Sequence, residues 1–422
     1  MSILLHPDLP ASRCLAAEGV SVAATPSGHI EDKTPLRIAL VNLMPKKIET
    51  ETQFARVLAD AAIDIELTLV LPDTYKPTHV SSDHLEAFYR RFSQIAGERF
   101  DGVIVTGAPV EMMPFEEVDY WPELKVIFDW ARERTASTFA VCWAGQAALQ
   151  HFHGVPKRPL PKKRFGVYEH RVLRPASPLL RGLEGGFSTP VSRHTEVRAE
   201  DLPAGAGLEV LAASEEAGLC LVADEDLRLV CMFNHLEYDA GTLGAEFARD
   251  RALGRSISLP VGYFPGDDPT AAPAATWADA ARRLFGNWVA ELERRRSRAA
   301  EPAARLRWLV GRAGLSIVGQ ASAALSVRAS DTPDALVQIL RVLDQLGIRP
   351  LKLRSLKPHS GEQVLEMRLE PIAEGRLDRL SRRLGRARAV RALAYRADDG
   401  SAGMVAVNPG WRPSGRRASA VG

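Results

Sequence analysis

The chain has 422 residues, more than one ordinary core holds, and 46% are hydrophobic against 25% charged. Those are the proportions of a soluble globular protein of two or three domains. A formal net charge of +2 is too small to point to a nucleic-acid or membrane partner.

The four cysteines, Cys14, Cys142, Cys220 and Cys231, are scattered. They form no CxxC pair and no metal-ligand spacing, so they read as reduced thiols of a cytoplasmic protein. Residues 1–9 lack the basic-then-apolar pattern of a signal peptide. No apolar run is long enough to span a bilayer.

Residues 1–35 carry Pro, Gly and Ser with weak periodicity and are expected to form an irregular arm. Leu36–Asn42 is a near-continuously apolar strand, as a strand covered on both faces is. Pro45 breaks it, and Lys47–Ala61 is a helix with Ile48, Phe54, Val57 and Leu58 at helical spacing. Ile63–Leu71 is a strand, Asp83–Ala96 a helix, Asp101–Gly107 a strand and Tyr120–Arg134 a helix. A short apolar run from Thr138 leads to Cys142. Strands alternating with helices give an α/β domain with a parallel sheet. Sites in such sheets gather at the carboxyl ends of strands. Residues 42–47, 106–111 and Cys142 all lie at such ends.

Residues 154–200, rich in Pro, Lys and Arg, are expected to be a loop excursion followed by short strands at Gly166–Val172 and Phe187–Val191. Leu208–Ala213, Gly218–Ala223 and Leu227–Phe233 form a meander. Asp239–Leu253 and Trp277–Arg296 are helices. The composition shifts near Arg294–Ala304, which places the end of the catalytic domain (36–298) and a linker (299–318). Residues 319–396 then read as strand (Ala323–Arg328), helix (Thr332–Leu346), two strands (Arg349–Leu356, Gln363–Leu369), helix (Glu374–Leu384) and strand (Val390–Ala394). This βαββαβ order is the ferredoxin-like arrangement, a small α+β domain. The Gly-, Ser- and Arg-rich residues 397–422 are expected to be a disordered tail.

Cys142 sits where strand gives way to helix, the geometry of a nucleophile elbow. Ala140 and Ala144 supply the small residues such a turn needs. A helix N-terminus favours a thiolate and offers oxyanion donors. The alternative is a buried structural cysteine. A thiol nucleophile needs a base and the base an orienting group. His235 follows a strand and Glu237 lies two residues on, so in extended backbone both side chains point the same way. Cys142, His235 and Glu237 then form a triad defined by role. Against this, His235 and Glu237 read as a loop histidine and a solvated carboxylate. His194, within Ser192–Glu196, sits in a polar cluster that is either solvated or faces a substrate. The histidines show no zinc spacing. There is no Walker A pattern and no GxGxxG after a strand.

Several segments closely resemble the homoserine O-acyltransferase family of the homoserine O-succinyltransferase type. They are Asn42–Glu51, Thr106–Glu111, Glu117–Trp121, Cys142–Ala144, Phe165–Val167, Ser192–Glu196, His235–Asp239, Tyr263–Pro265 and Asp267–Pro269. Together they cover roughly residues 1–295 in order. The resemblance implies a class I glutamine amidotransferase-like (flavodoxin-like) fold. It implies ping-pong acyl transfer from acyl-CoA to L-homoserine, with Cys142 carrying the acyl group, His235 as base and Glu237 orienting it. Lys163, Ser192 and Arg249 are implied to contact substrate. Lys47 and Arg193 are implied to support the site, and Trp143 to give an oxyanion N–H. No cofactor beyond the acyl-CoA co-substrate is implied. Family members are often homodimers.

Within the family, Glu at position 111 goes with acetyl-CoA and Gly with succinyl-CoA. A succinyl carboxylate would meet the charge and bulk of Glu111, so acetyl-CoA is the expected donor. Asn234-His235-Leu236-Glu237 departs from the Gly-His-Pro-Glu common in the family. Residues 305–395 lie outside the family core and are similar to ACT-type amino-acid-binding domains. That suggests either an amino-acid effector in methionine biosynthesis or an oligomerisation module. The competing readings are a succinyl donor, a serine acceptor, a glutamine amidotransferase and a non-catalytic amino-acid sensor.

Overall fold

The computed structural model describes residues 2–24, 34–77, 79–226, 228–312, 323–330, 333–346, 348, 350–359, 362–369, 384, 390–397 and 402–406. The chain divides into two units, Met1–Arg296 and Ser297–Gly422.

The first unit begins with β1 (Ile3–Leu5), α1 (Pro10–Ala17) and β2 (Val22–Ala24). Then come β3 (Leu36–Val41), α2 (Lys47–Ala59), β4 (Ile65–Leu71), α3 (Ser82–Phe88), β5 (Tyr89–Arg91) and α4 (Phe92–Ile95). These are followed by β6 (Gly102–Val105), α5 (Trp121–Arg134), β7 (Ser137–Val141) and α6 (Trp143–His153). The rest is β8 (Arg158–Val172), β9 (Phe187–Glu196), β10 (Leu208–Ser214), β11 (Gly218–Asp224), β12 (Leu229–Met232), α7 (Thr242–Ala252) and the first part of α8 (Ala278–Arg312), a helix that continues past the unit's last residue, Arg296.

One sheet runs in the order β2-β1-β4-β3-β6-β7-β12-β11-β10-β8-β9, with β5 added beside β4. It is parallel from β2 to β12 and antiparallel beyond. The expected α/β class with a parallel core is therefore present. The side-chain period of a strand explains how the core splits across the sheet. On β3, Ile38 and Leu40 join Phe54, Leu58 and Trp288 on one face. Ala39 and Val41 join Phe128 and Trp143 on the other. Helix α8 packs so closely on β6 that a Cβ at Gly102 would lie 2.7 Å from Leu292 Cδ1 and 2.9 Å from Trp288.

Several expectations need correction. The N-terminal arm is not irregular: β1 pairs with β4, and Leu5, Leu9 and Leu15 are fully buried. Three-residue strands are too short to show a period. The helix expected over 83–96 is interrupted by β5, whose Tyr89 hydroxyl donates to the buried Glu51 at 2.5 Å. A tertiary hydrogen bond has overridden helix propensity there. The loop excursion expected after residue 154 is instead the long strand β8, paired along β9 with a register shift between Pro159 and Arg164. Pro-rich sequence masked it: β10 pairs with β8 only at Arg171 and Val172, so among the described residues the Pro-rich start pairs with β9 alone and tolerates Pro as an edge does. The expected linker is helical as far as Arg312, and residues 313–322 lie outside the described residues.

The second unit contains β13 (Ala323–Ser330), α9 (Pro333–Gln345), β14 (Pro350–His359), β15 (Glu362–Leu369), β16 (Val390–Ala397) and β17 (Ala402–Ala406). Its sheet order is β14-β15-β13-β16-β17, all antiparallel. The first four strands have the order of a ferredoxin-like unit. The expected helix at Glu374–Leu384 lies outside the described residues except for Leu384, which is helical and buried. The tail expectation is corrected at β17, which pairs with β16; residues 407–422 are outside the described residues.

Candidate active site

The strand β7 is buried throughout and stops at Val141; α6 starts at Trp143. Cys142 between them has φ 51° and ψ −118°. A non-glycine residue held there costs about 1–3 kcal/mol, so its surroundings must enforce it. They do so from three sides. The Cys142 N–H donates to Met232 O at 2.6 Å, and its carbonyl accepts from Gly145 N at 3.0 Å. A Cβ on Gly107 would lie 3.2 Å from Cys142 Cβ and one on Gly145 3.3 Å from Ala140 O. Glycine at 107 and 145, together with Ala140 and Ala144, makes the sharp turn fit. Burial pushes Cys220 up to about 12 and raises Cys231 as well.

The register of β7 on β12 brings Val141 opposite Met232. Cys142 and the segment carrying His235 therefore leave the sheet side by side. His235 N–H donates to Pro190 O at 2.9 Å, and its Nδ1 lies 2.6 Å from Glu237 Oε1. Cys142 and His235 line the same cavity, so the sulfur and the imidazole face one space. The His235 ring stacks on Tyr238 at 4.2 Å between centroids. Burial disfavours the imidazolium, but the charges of Glu237 and Cys142 outweigh it and hold His235 well above its ordinary value. Glu237 Oε2 is buried without a hydrogen-bond partner among the described residues.

The departure at Asn234 and Leu236 is absorbed by packing. Both side chains are buried. Asn234 Oδ1 accepts from Arg193, and its Nδ2 donates to His170 Nε2 at 2.9 Å. His170 Nδ1 donates in turn to Tyr168 O at 2.9 Å. Burial drops His170 to about 4, which suits the neutral ring this pattern needs. Arg193 also donates to Phe233 O and Ala217 O and is almost wholly buried. It braces the segment under His235 rather than facing a ligand.

A cavity of about 300 Å³ opens in front of Cys142 and His235. Its wall includes Glu111, Lys163, Ser192, Glu246 and Arg249. Lys163 Nζ lies 3.0 Å from Glu246 Oε2 and 4.2 Å from the centre of the Phe165 ring. Ser192 Oγ donates to Glu246 Oε2 at 2.6 Å and Tyr238 OH to Glu246 Oε1 at 3.1 Å. Burial works against the Glu246 carboxylate, but Lys163 and Ser192 hold it below the usual range. Arg249 pairs with Asp250 at 3.0 Å and is half exposed at the cavity rim. Sequence reasoning does not single out Glu246. A signal for it exists: Glu246, Arg249 and Asp250 stand at i, i+3 and i+4, one helix face, shortly after the H-x-E segment.

Glu111 also lines the cavity, with its Oε2 accepting from His194 N at 2.8 Å and Thr195 N at 3.1 Å. Lys47 lines a neighbouring cleft instead. It is buried, donates to Asn42 O at 2.5 Å and sits 4.6 Å from the centre of the Tyr75 ring. Burial lowers it to about 7. Trp143 is fully buried, its indole N–H without a partner among the described residues, and supplies the first residue of α6. Among the described residues no cluster of three or more His, Cys, Asp or Glu side chains has metal-site geometry, and no helix is long and apolar enough to cross a membrane.

Residues 2–295 match the family described as Homoserine O-succinyltransferase. The chain belongs to that family. Membership makes it an acyltransferase acting on homoserine. Relatives named homoserine O-acetyltransferase include one from Rhizorhabdus wittichii, 51% identical over 70% of this chain and 92% of the relative. Others come from Novosphingobium aromaticivorans (50% identical, 69% and 95%) and Synechococcus elongatus (49% identical, 68% and 97%). Among solved structures the chain is similar to a glutamine amidotransferase of Thermotoga maritima. The TM-score is 0.41 at 14% identity, over 62% of this chain and 99% of that one. A glutamine amidotransferase of Methylobacillus flagellatus gives 0.39 at 14% identity, over 61% and 94%. The family match ends at residue 295, so the second unit is an addition to it.

Proposed function

We propose that this homoserine acyltransferase uses acetyl-CoA and works by a ping-pong route through Cys142. The observation that carries the reading is Cys142 at its strained turn sharing one cavity with His235, whose ring is held 2.6 Å from Glu237, with Glu111 in the same wall. The relatives' names support the acetyl donor. In the first half-reaction Cys142 sulfur attacks the acetyl carbonyl, and the thiol proton passes to His235. The carbon–sulfur bond to CoA breaks, and His235 returns the proton to the leaving thiolate. In the second, His235 takes the γ-hydroxyl proton of homoserine as that oxygen attacks the thioester, and the Cys142 thiol is restored. Glu237 holds the ring with Nε2 toward sulfur and compensates the imidazolium charge. The N–H of Trp143, at the start of α6, suits the oxyanion of both tetrahedral intermediates.

The acceptor is an amino acid, and the cavity carries both charges it needs. Arg249 matches the carboxylate, and Glu246 matches the ammonium. Lys163 and Ser192 keep Glu246 ionised and in place. Intact-protein mass spectrometry tests the route. Incubation with acetyl-CoA should add one acetyl group at Cys142, and homoserine should remove it. A protein that acetylates homoserine without ever carrying the group would overturn the ping-pong reading.

The second unit is proposed as a binding module for an amino-acid effector, on the strength of its ferredoxin-like strand order. Truncation after residue 298 should abolish inhibition by methionine or a related amino acid; unchanged inhibition rules this out. The family resemblance also carries a homodimer, which sedimentation velocity tests.

A further inference from the structure

Residues 235–238 form a tight turn, closed by the Tyr238 N–H donating to His235 O at 3.4 Å. The turn puts Glu237 at one edge of the imidazole, 2.6 Å from Nδ1, and lays Tyr238 against its face. The two rings are 4.2 Å apart between centroids and within 16° of parallel. Tyr238 is buried in the cavity wall and held at both ends. Trp277 Nε1 donates to its carbonyl at 2.8 Å, and its own hydroxyl donates to Glu246 Oε1 at 3.1 Å. The other Glu246 oxygen takes Ser192 and Lys163 at 2.6 and 3.0 Å. Tyr238 thus touches the base with its ring and the acidic wall of the cavity with its tip. An aromatic face carries negative charge and attracts a cation laid on it. The stacked contact therefore favours imidazolium over the neutral imidazole. Burial and the nearby charges of Glu246 and Glu237 hold the phenol proton well past its ordinary range, so the hydroxyl stays a donor.

We infer that Tyr238 is a positioning residue shared by both half-reactions: its ring stabilises protonated His235, and its hydroxyl holds the Glu246 carboxylate for the acceptor's ammonium group. The inference rests on the acyl-transfer reading above and deepens it by assigning the residue between base and acceptor. Both half-reactions pass through a protonated His235, so the ring serves both. Only the second engages the amino acid, so the hydroxyl serves that one alone. Tyr238 acts through His235 and Glu246 and takes part in no bond-making itself. Its two roles separate on substitution, because one resides in the ring and the other in the oxygen.

The test separates acetyl loading of Cys142, read by mass spectrometry without acceptor, from the steady-state KM for homoserine. Tyr238→Phe keeps the ring and removes the oxygen. It should load acetyl within about twofold of the wild-type rate and raise the homoserine KM by roughly three- to tenfold, the worth of one hydrogen bond. Tyr238→Leu removes the aromatic face. The NMR titration of the His235 ring should then move down by about one pH unit and loading should slow by about tenfold, the scale of one buried cation–π contact. Replacing Tyr238 with a ring-fluorinated phenylalanine keeps the shape and drains charge from the face. It should lower the His235 titration relative to Tyr238→Phe, which decides the point even where Tyr238→Leu does not fold. Equal His235 titration with the fluorinated and the plain ring overturns the role of the ring. An unchanged homoserine KM in Tyr238→Phe, or acetyl loading slowed as much as the KM rises, overturns the role of the hydroxyl. If the wild-type protein takes no acetyl group at Cys142, the acyl-transfer reading falls separately. The ring titrations and calorimetric binding of homoserine then still decide the inference: binding to Tyr238→Phe should be weaker than to the wild type, and equal binding refutes it.

Discussion

The backbone N–H of Cys142 donates to the carbonyl of Met232 at 2.6 Å. One hydrogen bond thus ties the strained turn that presents the sulfur to the end of the strand that delivers His235. Nucleophile and base are positioned by the same parallel pairing of β7 with β12. Orientation of the imidazole is then left to Glu237, through a 2.6 Å contact. Glu237→Gln keeps the shape but removes the charge that supports the imidazolium. We expect kcat to fall by about 100-fold or more, with homoserine KM little changed. The same variant should lose the alkaline displacement of His235, measurable by NMR titration of the ring. An unchanged titration would mean that Glu237 is not what holds the proton.

Acceptor recognition is separable from acylation. Glu246→Gln and Arg249→Ala should each raise the homoserine KM by about 10- to 100-fold, the worth of one charge-assisted hydrogen bond. The rate at which acetyl-CoA loads Cys142 should fall far less. A loss confined to the loading step would contradict the assignment of these residues to the amino acid.

His170 makes a pH prediction with a definite sign. Its folded value, about 4, lies below the ordinary 6.5. The neutral ring is therefore favoured by folding. Its contribution is fully present above pH 6.5 and is lost as pH falls from 6.5 through about 4. The size is about 3 kcal/mol at most. Subtracting the stability–pH curve of His170→Gln from that of the wild type, by urea unfolding, should isolate this slope. Protonation would also place a second cation near Arg193 and leave Asn234 Nδ2 without its acceptor.

Gly102→Ala probes the packing of α8 on β6. The added methyl meets Leu292 and Trp288, both buried, at 2.7 and 2.9 Å. Neither side chain has room to withdraw, so a loss of about 1–3 kcal/mol is expected. A thermal midpoint equal to the wild type would show that the helix shifts freely.

What could be read from the chain alone was local. A buried strand period, a breaker, an elbow with Ala140 and Ala144 around Cys142, and a histidine two residues before a glutamate are all encoded within a few positions. Such features follow from backbone sterics and side-chain periodicity, which need no distant partner. The resemblance in motif order named the family from the same short segments.

Tertiary structure decided whatever depends on residues far apart. Glu111 is read only through the family resemblance, and its hydrogen-bond partners emerge when β9 brings the N–H groups of His194 and Thr195 to it across 83 and 84 positions. Arg193 reads as part of a polar cluster until burial turns it into the brace beneath Asn234. Glu246 becomes notable only when Lys163 and Ser192 converge on it from β8 and β9. The N-terminal strands and the long Pro-rich β8 also owe their existence to sheet neighbours rather than to their own propensity. Burial and hydrogen-bond completion are properties of the assembled sheet, and those two terms set the charge states and the donors at this site.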